Sequence, residues 1–289
     1  MDTLLILITS TSILFSAQFS YSVPVSEDVR DRWSDGPVNL TDSLVSEIVN
    51  GIRSGTRLFY VRLRLPPPRG FCGGSIIDPQ WVLTSTKCLD LFITDEIVVE
   101  IGDFSMPFSR KIMSEVSAIY AAPGYRSGPT PANDMALVKL TRRVPEEFRI
   151  PMCRQEQVPH SVMLGTVGMG ATVSRGKLLE SIPNSLREIF LRESRGRFPT
   201  SWRPFSIQFC PDYNICTEPI TEGSNICMFD YGGPLYKFEC ASTTPNCLYG
   251  VASFSTNRLD RPDEMCNGGS TFTSVPHFFE WISGTMASG

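Results

Sequence analysis

The sequence predicts an all-β protein built from barrels or sandwiches, with a short C-terminal helix, and three observations support this. First, apolar residues at positions 60–65 alternate with Tyr or Arg, which is the period of two that marks a half-buried strand. Second, similar short apolar runs recur along the chain, at residues 81–84, 97–101, 135–140 and 249–254. Third, amphipathic helical spacing is scarce before the C-terminus, where four apolar residues share one helix face: Val275, Phe278, Phe279 and Ile282.

Length and composition limit the class of protein further. A chain of 289 residues exceeds the usual size of a single core, so we expect one large or two modest domains. With 42% hydrophobic and 19% charged residues the chain is not disordered throughout, and a net charge of −4 gives no indication of nucleic-acid binding. The sequence contains neither a metal-ligand cluster nor a phosphate-binding loop, so no metal or cofactor is expected.

The N-terminal segment predicts the cellular compartment. Residues 3–17 form an apolar run that is short for a membrane span, and the small residues around Ser22 suit signal peptidase. We therefore expect a signal peptide at 1–22 and a secreted, extracellular chain without a membrane span, in which disulfides can form. The alternative, an uncleaved anchor, is disfavoured because polar residues at 9–12 interrupt the run.

The next segment, residues 23–47, is polar and acidic and has little apolar surface with which to fold alone. It is interpreted as an extended pro-segment or arm. Asn39 begins an N-glycosylation sequon in this segment, so the protein is expected to be a glycoprotein.

From residue 48 onward, six short motifs follow one another. They read IVNG at 48–51, FCGGS at 71–75, WVLT at 81–84, NDMAL at 133–137, DYGGPL at 230–235 and WI at 281–282. In this order they resemble the motifs of the chymotrypsin- and trypsin-like serine proteases, over residues 48–284. The resemblance implies two packed six-stranded antiparallel β-barrels, at about 48–154 and 155–274, with the active site between them and a helix at about 275–284.

The catalytic positions depart from the family pattern. In that family a histidine takes the proton of an attacking serine, and a buried aspartate orients the histidine. The resemblance places Lys87 at the histidine position and Tyr231 at the serine position, and of the triad only Asp134 is retained. Neither of the two histidines, His160 and His277, aligns near Lys87. The resemblance thus implies a catalytically inactive serine protease homologue.

The oxyanion position is altered as well. The glycine that supplies one of the two amides aligns with Phe229, where a residue with a Cβ atom adopts the required backbone geometry only with strain. A phenylalanine ring could also occupy the space of the substrate carbonyl. Loss of one oxyanion donor alone costs on the order of a hundredfold in rate.

An alternative is an active hydrolase with a rebuilt Lys/Tyr site, since lysine activates nucleophiles in some hydrolases and tyrosine is a nucleophile in some transfer enzymes. We expect instead a salt bridge between Lys87 and Asp134, which would keep the lysine protonated and unavailable as a base. On this interpretation Lys87, Asp134 and Tyr231 plug and neutralise the former cleft.

Activation by cleavage before the IVNG motif is also altered, because the preceding residue is Glu47 rather than Arg or Lys. Asp230, which in the family receives the new amino terminus, is retained. Either the chain stays in a zymogen-like single-chain form, which we favour, or an acid-specific protease cuts between Glu47 and Ile48. In the first case we expect Asp230 to be satisfied by other partners, as a buried carboxylate must be.

The resemblance also assigns the residues of the substrate pocket. Asn225 falls at its base, Ser253, Phe254 and Ser255 form one wall, and Ser270 replaces a pocket glycine. An asparagine base does not select basic side chains, and the two serines at 255 and 270 narrow the opening. A filled or vestigial pocket is therefore expected.

Nine cysteines suggest a disulfide framework with one residue left over. The resemblance implies bridges Cys72–Cys88 and Cys227–Cys266, and short-range pairing gives Cys210–Cys216 and Cys240–Cys247 as tentative assignments. Cys153 is then unpaired, either as a buried free thiol or as an intermolecular disulfide to another chain.

Together these features predict a protein that acts by binding. The expected partner is an extracellular protein, namely an active protease, its substrate or a receptor, in a fluid such as haemolymph or seminal fluid. A regulatory cofactor, a decoy and an adhesion protein all fit this expectation, and a receptor or glycan ligand remains as a further alternative.

Overall fold

The computed structural model describes residues 51–67, 70–90, 92–106, 108–159, 161–170, 172–174, 177–179, 185–194, 210–238, 246–256 and 266–289. The expected signal peptide, the arm with Asn39, the Glu47–Ile48 junction, His160 and Cys240 lie outside these residues. The elements are, in chain order, β1 (Ile52–Arg53), β2 (Tyr60–Arg64), β3 (Phe71–Asp78), β4 (Trp81–Thr84), β5 (Val98–Ile101), β6 (Ile112–Ala121), β7 (Ala136–Leu140), β8 (Met163–Gly168), β9 (Thr172–Ser174), β10 (Lys177–Leu179), β11 (Arg187–Glu193), β12 (Asn214–Pro219), β13 (Pro234–Phe238), β14 (Leu248–Ser255), β15 (Ser270–Ser274) and α1 (Phe279–Ser288).

The first barrel is closed and antiparallel, in the order β2-β3-β4-β7-β6-β5. It closes because β2 pairs with both β3 and β5. In β2, Val61 and Leu63 are fully buried and Arg64 is exposed, as the alternation predicted, but Tyr60 on the opposite face is fully buried as well, so the strand is not half-buried along its whole length. Apolar side chains from all around the barrel, including Val99 and Val138, fill its interior.

The second barrel has the order β11-β12-β15-β14-β13-β8, and pairing of β11 with β8 closes it. The short strand β1 pairs with β11, and β9 and β10 pair with each other in a separate two-stranded sheet. The predicted all-β fold of two six-stranded antiparallel barrels is therefore confirmed.

The barrels pack through a shared apolar core and a close backbone contact. Tyr60 and Leu137 of the first barrel lie in one buried cluster with Val251 of the second. At the contact, the Gly73 amide donates a 2.8 Å hydrogen bond to the Tyr231 carbonyl. A Cβ atom on Gly73 would lie 2.8 Å from the Gly233 Cα, closer than real Cβ contacts come, so glycine is required where the barrels meet.

Helix α1 occupies Phe279–Ser288, a few residues later than the sequence suggested. The reason is that the Val275 amide donates to the Tyr249 carbonyl at 2.8 Å, which keeps Val275 in the sheet's hydrogen-bond pattern. Phe278 and Ile282 are buried in the core that the barrels share. In the part of the chain that the structure describes, no helix is both long enough and apolar enough to cross a bilayer.

Four disulfides join eight of the nine cysteines. Three of them match the sequence-based assignments, and they are Cys72–Cys88, Cys227–Cys266 and Cys210–Cys216. The fourth is Cys153–Cys247. The predictions of an unpaired Cys153 and of a Cys240–Cys247 bridge were therefore wrong, and Cys153 is not available for a link to another chain.

Backbone pairing explains the fourth bridge. The Cys153 amide donates to the Leu248 carbonyl at 3.0 Å, and the Leu248 amide donates to the Pro151 carbonyl at 2.8 Å. These bonds bring Cys153 beside Cys247, with their Cα atoms 5.1 Å apart. Short-range pairing could not reveal a partner 94 residues away.

Removing this long-range bridge should destabilise the protein. The double variant Cys153→Ala/Cys247→Ala is expected to lose about 2–4 kcal/mol of unfolding free energy in urea, because the bridge closes a long loop of the unfolded chain. The matched control is Cys210→Ala/Cys216→Ala. The bridge it removes spans a sequence separation of only 6, so this variant should lose less unfolding free energy. Non-reducing peptide mapping tests the pairing directly, and recovery of Cys240 linked to Cys247 would contradict it.

Candidate functional site in the cleft between the barrels

The three positions assigned to the triad lie together where the barrels meet. Asp134 lies just before β7, Lys87 in a short helical turn after β4, and Tyr231 just before β13. The Asp134 carboxylate is fully buried and accepts hydrogen bonds from Ser85 Oγ at 2.8 Å, the Lys87 amide at 2.9 Å and Ser253 Oγ at 2.6 Å. Burial raises its pKa, against the effect of these hydrogen bonds.

The expected Lys87–Asp134 salt bridge is not formed. Lys87 Nζ donates instead to the Ser253 carbonyl at 2.6 Å and lies 3.4 Å from the centroid of the Tyr231 ring. Burial lowers the pKa of Lys87 to about 8, although the charges of Asp134 and Asp90 act in the opposite direction. The expectation was wrong because hydroxyl groups and a backbone amide already satisfy the carboxylate.

Tyr231 presents its ring, rather than its hydroxyl, to the lysine. An ammonium over an aromatic face is a cation–π contact, and it is strongest where both groups are shielded from water. Burial raises the pKa of the Tyr231 phenol, and so does the charge of Asp230, while a hydrogen bond with Ser255 lowers it. The phenol is thereby held in its neutral form, and it is hydrogen-bonded to Ser255, a residue assigned to the pocket wall.

Phe229 has the strained backbone that the sequence predicted. Its φ of 73° lies in the left-handed region that favours glycine. Its ring stacks on Phe71, with centroids 5.5 Å apart and an interplanar angle of 27°. An aromatic ring packed on Phe71 thus belongs to the residue that the resemblance assigns to the oxyanion glycine.

The residues assigned to the substrate pocket bond to one another. Asn225 is fully buried, and its amide nitrogen donates to the carbonyls of Gly268 at 3.1 Å and Gly269 at 3.4 Å. Its side-chain oxygen accepts from the Ile226 amide at 2.9 Å and from the Ser270 hydroxyl. All of the hydrogen-bonding groups of Asn225 are thus used within the chain.

Asp230 lies beneath the site and is bonded only to backbone among its described hydrogen bonds. Its carboxylate accepts from the Gly170 amide at 2.7 Å and from the Cys227 amide at 2.9 Å. Burial raises its pKa to about 7, while these two hydrogen bonds oppose the shift. A Cβ atom on Gly168 would lie 2.1 Å from its Oδ1, so the carboxylate is tightly enclosed.

Two residues of the site were not predicted in these roles. Ser85 bonds to Asp134, although the sequence singled out only its neighbour Lys87. Ser253 was assigned only to the pocket wall; its side chain also donates to Asp134, and its carbonyl accepts from Lys87. His277 lies elsewhere, with its ring centroid 4.9 Å from that of Phe278. The motifs predicted which loops form the site, but they did not predict which partner each side chain contacts.

The family model described as Trypsin matches residues 49–282. The chain belongs to the trypsin family. It is 26% identical over 265 residues to Ovochymase of Halocynthia roretzi (88% of this chain, 16% of that protein) and 30% identical over 179 residues to Serine proteinase stubble of Drosophila melanogaster (57% and 21%). It is also 25% identical over 229 residues to Proproteinase E of Bos taurus (75% and 84%). This trypsin-family chain thus spans about a sixth of the first relative and a fifth of the second.

The contact between Lys87 and Tyr231 should stabilise the fold. A double-mutant cycle of Lys87→Met and Tyr231→Leu, measured by urea unfolding, is expected to show a coupling energy of about 2 kcal/mol, because the pair is largely shielded from water. The control pair is Lys139 and Trp81, with a longer separation of 5.6 Å, and should show a smaller coupling. A coupling near zero at Lys87 and Tyr231 would contradict the interpretation.

The raised pKa of Asp230 should make stability depend on pH. The folded chain keeps this proton up to about pH 7, whereas the unfolded chain releases it near pH 4. This contribution to the free energy of unfolding therefore falls by at most about 4 kcal/mol between pH 4 and 7 and is level above. The wild-type value minus that of Asp230→Asn, from urea unfolding across this range, should decrease accordingly.

The control for this titration is Asp103→Asn. Burial raises the pKa of Asp103, but hydrogen bonds from Ser105 and Thr56 outweigh it and hold the pKa below its ordinary value. The unfolding free energy of wild type minus that of Asp103→Asn should therefore not decrease between pH 4 and 7. A difference for Asp230→Asn that stays constant over this range would refute the assignment.

Proposed function

We propose that this trypsin-family chain is a secreted, non-catalytic serine protease homologue that acts by binding other proteins. One observation carries the proposal: the lysine at the position of the catalytic base lies on the ring face of Tyr231 and donates to the Ser253 carbonyl. A general base must reach the proton of the nucleophile, and here the amine lies over the face of the phenol ring, 3.4 Å from its centroid, and donates to a backbone carbonyl.

The acidities of the two groups argue in the same direction. The pKa of Lys87 is lowered to about 8, while that of Tyr231 is raised above its ordinary value of 10. Transfer of the phenolic proton to the amine is therefore energetically unfavourable even before any bond to a substrate forms. This disfavours the alternative of a hydrolase with a rebuilt Lys/Tyr site.

Substrate binding is disfavoured too. The hydrogen bonds of Asn225 are directed to neighbouring residues rather than to an incoming side chain. The strained Phe229 takes the place of a glycine that would admit the substrate carbonyl. Both features therefore argue against a substrate bound in the orientation that turnover requires.

The extracellular part of the proposal rests on four disulfides and on the apolar segment at residues 3–17. The partner would be an active protease, its substrate or a receptor, and the role that of a cofactor, decoy or adhesion protein. N-terminal sequencing of the secreted protein would determine whether cleavage follows Ser22 and whether Glu47–Ile48 is cut, and deglycosylation would test Asn39.

A broad peptide-cleavage screen tests the lack of catalysis. Wild type, Tyr231→Phe and Asp134→Asn are all expected to show no cleavage above the blank, because we propose that the Lys87 amine does not act as a base toward Tyr231. Affinity capture from the native secretion, carried out in parallel, should recover a partner with the wild-type protein. Reproducible wild-type cleavage that disappears in Tyr231→Phe would overturn the proposal.

A further inference from the structure

An open apolar cavity of about 340 Å³ lies beside the site, on the side of Phe229. Its walls include Leu65, Phe71, Met228, Phe229 and the Cys72–Cys88 disulfide. Ligand pockets in proteins usually range from roughly 300 to 1,000 Å³, so this cavity is large enough for a small ligand or one large side chain.

Lys87 is the one lining residue of this cavity that carries a charge at neutral pH. An ammonium group has three N–H donors. One is directed to the Ser253 carbonyl and one face of the group is covered by the Tyr231 ring. In the described part of the chain no carboxylate pairs with this ammonium, so a cation with an unused donor lies in an apolar wall.

The wall itself is held in a costly conformation. Phe229 keeps a φ of 73°, a left-handed backbone conformation that is unfavourable for a residue with a Cβ atom. The result of that strain is a ring stacked on Phe71, and the two rings together form one side of the cavity. Strain of this kind is concentrated at sites that bind ligands.

We propose that this cavity binds an apolar carboxylate, with the acid group on Lys87 and the hydrocarbon part against Phe71, Met228 and Phe229. This goes beyond the proposed protein-binding role, because it assigns a ligand class to the degenerate cleft itself. A carboxylate would complete the hydrogen bonds of the ammonium in a shielded site, where charge-assisted bonds are strong.

The cavity's chemistry selects this class over others. A cationic ligand would be repelled by Lys87, and a neutral one would leave the ammonium without an anion. A dianion such as a phosphate monoester would bring a second charge that the apolar walls do not satisfy. The same chemistry occurs in a free fatty or aromatic acid and in the C-terminal residue of a peptide that ends in an apolar side chain.

Titration calorimetry on the full-length protein, with octanoate and 1-octanol as probes, tests the proposal. Wild type is expected to bind octanoate at least tenfold more tightly than 1-octanol. Octanoate binding should weaken above about pH 8, where Lys87 loses its proton. The groups that act on this titration are Asp134 and Asp90, whose charges favour the proton, and the Tyr231 ring, which covers the ammonium.

Variants separate the charge from the apolar walls. Lys87→Met should abolish the preference for octanoate over 1-octanol, Lys87→Arg should retain it, and the control Lys139→Met should behave as wild type. Equal wild-type affinities for the two probes, no binding of octanoate, or an unchanged preference in Lys87→Met would each overturn the proposal. The comparison of probes on wild type needs no variant, so poor folding of Lys87→Met does not remove the test.

Two peptides distinguish the sources of the carboxylate. A hexapeptide ending in a free leucine, compared with its C-terminal amide, should show the same preference for the acid if peptide termini are bound; octanoate binding without any peptide binding would identify a free acid as the ligand. Peptide cleavage by the wild type would contradict the proposed function while leaving the octanoate result as the test of this site.

Discussion

The buried carboxylate of Asp134 is the group on which the arrangement of the cleft depends. It lies in the first barrel and accepts hydrogen bonds from Ser85 of the same barrel and Ser253 of the second, as well as from the Lys87 amide. Its own carbonyl accepts from Thr273 Oγ1 at 2.9 Å. A charge removed from water must be fully hydrogen-bonded, so these contacts hold the two barrels in register around it.

Because Asp134 is satisfied in this way, the side chain of Lys87 is free to take another partner. It extends to the Ser253 carbonyl and the face of Tyr231, which gives the two altered triad positions a contact with each other. The cleft thus keeps the electrostatic framework of a protease but uses it to position a cation beside an apolar cavity. Under the two proposals made above, the loss of a base and the gain of a binding group would follow from the same geometry.

Much of the fold was predictable because strands and family motifs are local patterns. The alternation in β2 and the apolar runs that became β4, β5, β7 and β14 each correspond to an observed strand. Strand β3 was not singled out, since its glycines at 73 and 74 hide the alternation. A Cβ atom on Gly73 would lie too close to Gly233, and one on Gly74 too close to side chains of β2 and β4. The Cys153–Cys247 bridge was missed because its two halves meet only through pairing across the second barrel.

The sequence by itself determined the family, the two barrels, three of the four disulfides and the strained backbone of Phe229, since each depends on residue type at a motif position. Only the tertiary structure decided where the ammonium of Lys87 points and that Asn225 is satisfied by its neighbours. The physical reason is that a side chain's partner is chosen by competition among donors and acceptors that folding brings together. The hydroxyl groups of Ser85 and Ser253 donate to the Asp134 carboxylate, and the spacing of residues within any single motif does not predict these partners.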